Sequence, residues 1–460
     1  KGVVVDEEGK GIAGVVVNNG REFCKTDRRG AWQLSTDTTV SKFVSISTPR
    51  EYRLPEKDGI ASGYYIPVGE AVANRNTNTF RLQRRDSVSD RFHYIAISDP
   101  QILNAHDMKR WRNETMPSIL RTASQLRKTG DVVGMTLGDV VFDNMNIYPQ
   151  YVESIKNHRM TFFQCIGNHD FEKAYADLHN SSVGAERYAE QMFGRYFGPV
   201  NYSFNIGNAH VVTIKSINYR GGCHYEEEIT EEDLRWLERD LSYVPKDRLV
   251  ILNMHAPGWN AMEPIDNILN AKHLEEILAP YDAHVFAGHT HFFENVEVSP
   301  RLYQHNIGSA CGAWWTSNIC RDGSPNGYMV VTVDGKKLRW KYRSANSKSD
   351  VQMRVYKPGE FRTQKDFIVA NVWEWDPHCR VVWYEDGKYK GLMQLFVDND
   401  EAFLRTKPRK HQLAKTGHLF RARPTSKKYR YIKVIFVNRF GETFTWKWEN
   451  RNNRPFLLDK

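Results

Sequence analysis

Five short polar clusters carry side chains that ligate metals: Asp99-Pro100-Gln101, Gly138-Asp139, Gly167-Asn168-His169-Asp170, Met254-His255-Ala256-Pro257 and Gly288-His289-Thr290-His291. Carboxylates, imidazoles and carboxamide oxygens together suit divalent cations from Mg and Mn to Fe and Zn. Two such cations about 3.5 to 4 Å apart can clamp phosphoryl oxygens and neutralise the charge of an in-line displacement. A carboxylate suits the bridge between them because it brings negative charge and two oxygens, and Asp139 is the candidate. Singly the clusters mean little. Asp-Pro-Gln alone reads as a turn, and Gly-Asn-His-Asp as a loop with a helix cap. All five in this order argue for one site.

Each cluster follows an apolar run of strand length, at 92–98, 132–137, 161–166, 249–253 and 284–287. A ligand site in an α/β sheet lies beyond the carboxyl ends of its strands, so one crevice can collect all five. Between the Asn168 and His255 clusters, Thr230 with Asp233 reads as a helix start with acid in its first turn. Leu234, Leu237 and Leu241 then recur at helical spacing. This segment supports the register of the strands without adding chemistry.

On these motifs residues 90–345 resemble the calcineurin-like metallophosphoesterases, as an Asp-x-Gln variant of the family's commoner Asp-x-His first motif. The resemblance implies a four-layer α/β/β/α sandwich. It also implies hydrolysis of phosphate mono- or diesters by in-line attack of a hydroxide bridging two divalent metals. By the same resemblance Asp99, Gln101, Asp139 and His291 hold one metal, and Asp139, Asn168, His255 and His289 hold the other. Asn168 and His169 would steady the phosphoryl oxygens, His169 or a metal-bound water would assist the leaving oxygen, and Asp170 would orient the His169 ring. The expected metals are Mn, Fe, Zn or Mg. Gln101 is a harder and weaker donor than imidazole, which favours Mn or Fe at its site and predicts partial occupancy after purification.

Substrate contacts are expected from less patterned residues near the motifs: Asn144, Arg220, His224 and Trp259, with His106, Trp111, Asp143, Trp314 and Trp315 as further candidates. An arginine can pair with phosphate and an aromatic rim can stack a planar group. For a tryptophan taken alone, packing is the commoner role.

The chain has 460 residues, which at roughly 150 per domain suggests three domains. No apolar run approaches the roughly 20 residues that span a bilayer. Residues 1–85 hold short strand candidates divided by Glu8-Gly9, Asn19-Gly20 and Arg29-Gly30. They resemble the carboxypeptidase-regulatory-like, prealbumin-type β-sandwich, with a spacer or adhesion role expected. Strand candidates at 367–373, 380–384, 392–396, 431–437 and 443–448 predict a second β-sandwich over 350–460. The fold class is therefore an α/β core with two flanking all-β sandwich domains.

Residues 346–460 carry 24 Lys and Arg against 13 Asp and Glu, a surplus of 11 that exceeds the +9 of the whole chain. The C-terminal domain is thus an expected contact for an anionic polymer or membrane surface, although a solvated basic face is the commoner reason for such charge. No nucleic-acid motif accompanies it, so no specific nucleic acid is expected. The six cysteines form no Cys-x-x-Cys motif, and Cys311 and Cys320 could close a small loop. The three-part order resembles bacterial envelope phosphoesterases. It implies a secreted protein of the envelope or periplasm, with a secretion or lipoprotein leader upstream of Lys1. The competing expectation is an envelope binding or scaffold protein whose phosphoesterase domain holds metals but turns over little.

Overall fold

The computed structural model describes residues 1–75, 77–178, 185–348 and 350–450. Two β-sheets face each other at its centre. In the first, Arg91–Ile97, Asp131–Leu137 and Thr161–Cys165 run parallel, with Gly327–Asp334 antiparallel beside Arg91–Ile97 and Lys337–Ser344 antiparallel beyond it. In the second, Ala209–Thr213, Leu249–Asn253, Asp282–Ala287 and Leu302–Asn306 run parallel. Tyr202–Ile206 and Glu294–Ser299 close its two edges.

Side chains alternate along each strand, so Tyr94 and Ala96 face the opposing sheet while Ile95 and Ile97 face the helices. The space between the sheets is aromatic. Tyr94 and Phe286 lie 5.4 Å apart, and Phe163 stacks on Phe204 at 4.3 Å. Such pairs each add about 0.5–1.5 kcal/mol beyond their buried area. Helices Met116–Leu126 and Tyr148–Ile155 cover the first sheet, and Glu231–Leu241 and Ala271–Leu278 cover the second. The layers therefore run α/β/β/α. Helix Glu231–Leu241 starts as the sequence predicts, with Thr230 Oγ1 accepting from the Asp233 amide at 3.2 Å.

Both flanks are β-rich. At the N-terminus, Gly2–Val5 lies between Ala31–Trp32 and Asn78–Arg81, while Phe23–Lys25, Val16–Asn18, Phe43–Ser47 and Tyr65–Pro67 form a second sheet. Val4, Val17, Val44, Ile46 and Phe80 are buried together there. A short hairpin, Glu56–Lys57 with Ile60–Ala61, leaves this region and joins the first central sheet, Ile60 pairing with Phe162.

At the C-terminus two four-stranded antiparallel sheets share a core of Ile368, Ala370, Val372, Val381, Trp383, Ile432, Val434 and Phe436. The single strand expected at 392–396 is two strands, Lys388–Leu392 and Gln394–Asp398, in different sheets. The apolar run reads as one strand, yet Met393 is buried between the exposed Leu392 and Leu395, and the chain changes sheets there. All six cysteines are free thiols, Cys311 and Cys320 included.

Candidate metal centre

The five clusters meet at the carboxyl ends of the parallel strands. Asp99, Gln101, Asp139, His289 and His291 all adopt left-handed backbone, with φ of 47°, 42°, 50°, 70° and 55°. Such conformations cost on the order of 1–3 kcal/mol each and persist only where surrounding bonds impose them. Those bonds run between clusters: Gln101 N to Asp139 O at 2.7 Å, His169 N to Asp139 Oδ1 at 2.8 Å, and His289 N to Asp99 Oδ2 at 3.0 Å. Glycine is required where backbones touch. A Cβ on Gly167 would sit 2.3 Å from both the amide nitrogen and Oδ1 of Asp139.

Each imidazole is oriented by the nitrogen that faces away from the centre. His255 Nδ1 lies 2.8 Å from the Leu137 carbonyl, and His291 Nδ1 lies 3.1 Å from the Gly312 carbonyl. A ring N–H donating to a carbonyl leaves the other nitrogen as a lone pair, here Nε2 in both rings. His289 is turned the other way round. Its Nε2 lies 3.2 Å from Glu227 Oε1, and its Nδ1 lies 3.2 Å from His255 Nε2.

The donor set fits divalent cations. Asp139, His255 and His289 each offer an atom within 4.8 Å of the others. Asn168 Oδ1 is 3.0 Å from His255 Nε2. On the other side of Asp139, His291 Nε2 lies 3.4 Å from Asp99 Oδ1, and Gln101 Nε2 donates to Asp139 Oδ2 at 2.8 Å. Asp99 Oδ1 and Gln101 Oε1 are buried acceptors with no hydrogen-bond donor among the described residues. Buried acceptors of this kind are costly unless a cation or donor meets them. The same demand shows in the histidines. Burial alone would lower their basicity, yet Asp139 and Asp99 push His255 up to about 9, and Cys311 and Asp99 push His291 up to about 10. The seven residues expected as ligands thus converge, and the centre attracts positive charge.

Other expectations are corrected. Asp170 does not orient His169. It is fully buried, and its carboxylate accepts from the Gly167, Val140 and Val141 amides at 3.0, 3.2 and 3.3 Å. It therefore clamps two motif loops together rather than reaching substrate. The His169 ring is held instead by Asp143, 3.0 Å from its Nδ1, and stacks on Phe142 at 4.0 Å. Lys173 also pairs with Asp143, at 2.7 Å. Burial would raise the Asp143 carboxyl, but His169 and Lys173 outweigh it and hold it below the usual range.

Arg220 already meets two carboxylates of its own hairpin, Glu226 and, at 2.8 Å, Glu228. Strand alternation puts Glu226 and His224 opposite Tyr225 and Glu227, the pair that faces His289. Asn144 ties its loop to the Leu103 carbonyl at 2.9 Å. Trp259 is partly buried, and its backbone amide donates to Gln304 Oε1 at 3.1 Å. Trp111 is a core residue whose Nε1 donates to Ser154, and Trp315 is buried with Nε1 on the Pro100 carbonyl. His106 is exposed beside Asp107. Trp314 does reach the centre, stacked on His291 at 4.7 Å. Glu227, Tyr225 and Lys173 were not singled out from the sequence. The acidic run Glu226-Glu227-Glu228 was the available signal for Glu227.

The loop 309–326 carries Gly312 and Trp314, and the C-terminal region grips it. Arg321 forms a two-pronged ion pair with Glu263 at 2.6 and 2.7 Å and donates to the Thr290 carbonyl at 3.0 Å, between the two motif histidines. Its Nε donates to the Gln412 carbonyl at 3.0 Å. Asp322 accepts from the Phe293 amide at 2.7 Å and sits 3.0 Å from His418 Nε2, while Asn371 donates to the Asp322 carbonyl at 2.7 Å.

Comparison with known proteins agrees with this geometry. Residues 92–293 match the model of the calcineurin-like phosphoesterases, residues 1–85 the model of their N-terminal region and residues 304–444 that of their C-terminal region. The chain belongs to the calcineurin-like phosphoesterase family. It is 26% identical over 184 residues to the 3',5'-cyclic adenosine monophosphate phosphodiesterase CpdA of Escherichia coli, a match covering 39% of this chain and 60% of that protein. Among solved structures it is similar to a dimetal phosphatase from Danio rerio, at 14% identity and a TM-score of 0.40 over 55% of this chain and 96% of that one. It is also similar to GAP50, the anchor in the inner membrane complex of Plasmodium, at 15% identity and a TM-score of 0.39 over 56% and 85%.

Proposed function

We propose that this protein is a dinuclear-metal-dependent hydrolase of phosphate esters. The observation that carries the reading is the convergence of Asp99, Gln101, Asp139, Asn168, His255, His289 and His291, with buried acceptors that lack donors among the described residues. Asp99, Gln101, Asp139 and His291 would hold one metal, and Asp139, Asn168, His255 and His289 the other. Bound there, divalent metals supply Lewis acidity toward a phosphoryl oxygen and lower the pKa of water.

The chain's own groups do the rest. Leu137 and Gly312 carbonyls fix which nitrogen His255 and His291 present. His169, whose Nδ1 is held by Asp143, would give the leaving oxygen a proton from Nε2 when the ring carries both protons, and return to the neutral ring. The Asn168 carboxamide can donate to a phosphoryl oxygen while its Oδ1 faces the centre. Phosphodiesters are the first class to test, because the Escherichia coli relative is named for one. The envelope location rests on the three-part arrangement, and recovery from the cytosolic fraction of the source cells would overturn it.

The test is hydrolysis of a chromogenic phosphomonoester and a phosphodiester by metal-free protein reloaded with Mn, Fe, Zn or Mg, beside Asp139→Asn. Metal-dependent turnover lost in the variant is the expected result. Two bound metals without turnover on any ester would overturn the hydrolase and favour a binding role.

A further inference from the structure

Away from the metal centre, helix Met116–Leu126 and strand Lys337–Ser344 with its following turn enclose a cleft of about 570 Å³. Three cations line it, Arg121, Arg343 and Lys348. Among the described residues none of the three makes an ion pair, a side-chain hydrogen bond or a ring contact. Arg110, Arg220, Arg301 and Arg321, by contrast, each hold a carboxylate within 3.0 Å. Asp350 is the one acid on the rim, and it pairs with none of the three.

Three uncompensated positive charges around one concavity repel each other, and a multivalent anion relieves that repulsion. The rest of the lining suits an oxyanion. Gln125 and Ser347 bring exposed donors, and the floor is hydroxylic, with Ser118 and Thr122 sharing the Tyr328 hydroxyl at 3.0 and 2.7 Å. Two guanidinium groups present flat, two-pronged donor edges that match tetrahedral oxyanions.

The position of the cleft is defined by strand register. Arg343 pairs with Tyr328, and the next residue, Met329, pairs with Ala96, just before Asp99. The cleft therefore opens at the same end of the first sheet as the metal centre, two strands to the side, and shares no lining residue with it. We propose that this cleft is a separate binding site for a phosphate or sulfate group, carried by a free anion or by a lipid headgroup.

Sulfate is the probe, titrated at constant ionic strength against the metal-loaded full chain and followed by calorimetry and melting temperature. The comparison is Arg121→Gln with Arg343→Gln, and separately the exposed Lys348→Gln, which leaves the fold untouched. Saturable sulfate binding that weakens at least fivefold in the double variant and measurably in Lys348→Gln, with unchanged turnover of a small chromogenic ester, is expected. Vesicles of phosphatidylglycerol against phosphatidylcholine separate the sources. Binding to the anionic vesicles that the double variant loses assigns the headgroup, and sulfate binding without it assigns the free anion. Equal sulfate response in all three proteins, or none in the wild type, would overturn the site.

Discussion

The two flanking β regions meet the central layers at different places. The N-terminal region attaches to scaffold: Ile60 extends the first sheet beside Phe162, Ser47 meets Ser203 at 3.0 Å, Lys42 pairs with Glu190, and Asn18 accepts from Trp236 at 3.1 Å. The C-terminal region attaches to the loop that holds His291 in place, through Gln412 on Arg321 and His418 on Asp322. Similar β architecture thus does two jobs. One flank widens the platform; the other holds the loop whose Gly312 carbonyl meets His291. The role of such a domain is set by which residues it touches rather than by its fold.

The strongest attempt to break this contrast is Arg321→Ala. It removes a buried two-pronged pair and strands Glu263, so a stability loss of about 3–5 kcal/mol is expected in a urea titration. Turnover should fall at least tenfold, with earlier metal loss to a chelator. Full activity with both metals retained would make the C-terminal flank as passive as the other.

Next is Glu190→Gln on the N-terminal side. Burial alone would raise this carboxyl, but Lys215 and Lys42 outweigh it and hold it at about 2, below its ordinary 4.5. A depressed folded value stabilises fully above pH 4.5 and is lost as the pH falls toward 2. The variant should lose on the order of 3 kcal/mol at pH 7, lack that acid-side slope, and keep its turnover per folded molecule. A proportionate loss of turnover would blur the distinction.

Smaller effects sharpen it. Trp236→Phe removes the bond to Asn18 and should cost about 1 kcal/mol with no change in KM. Arg21→Ala breaks an ion pair with Glu232 in which both side chains are 49% exposed, so the melting temperature should move by less than roughly 1 kcal/mol corresponds to.

The residues that converge at the centre were legible in the sequence because metal chemistry restricts residue type and strand ends restrict position. Their supports were not. Leu137 and Gly312 act through backbone carbonyls, which leave no mark on residue identity. Asp170 stands next to His169 in the chain, and adjacency suggested a partnership, yet three backbone amides claim its carboxylate. Asp143 supplies the ring contact from another motif loop. The α/β/β/α layers follow from the apolar runs and their order. The sheet change at Met393 and the hairpin at 56–61 depend on tertiary partners that local pattern does not encode.

The grip on loop 309–326 also bears on the order in which a nascent chain becomes competent. A ribosome releases Asp99 through His291 long before Gln412 and His418, the residues that anchor Arg321 and Asp322. Until those late residues emerge, Arg321 and Asp322 have only their partners in the central layers, Glu263, Thr290 and Phe293. The last contacts of the loop that carries Gly312 and Trp314 are therefore made by residues translated after all five motifs.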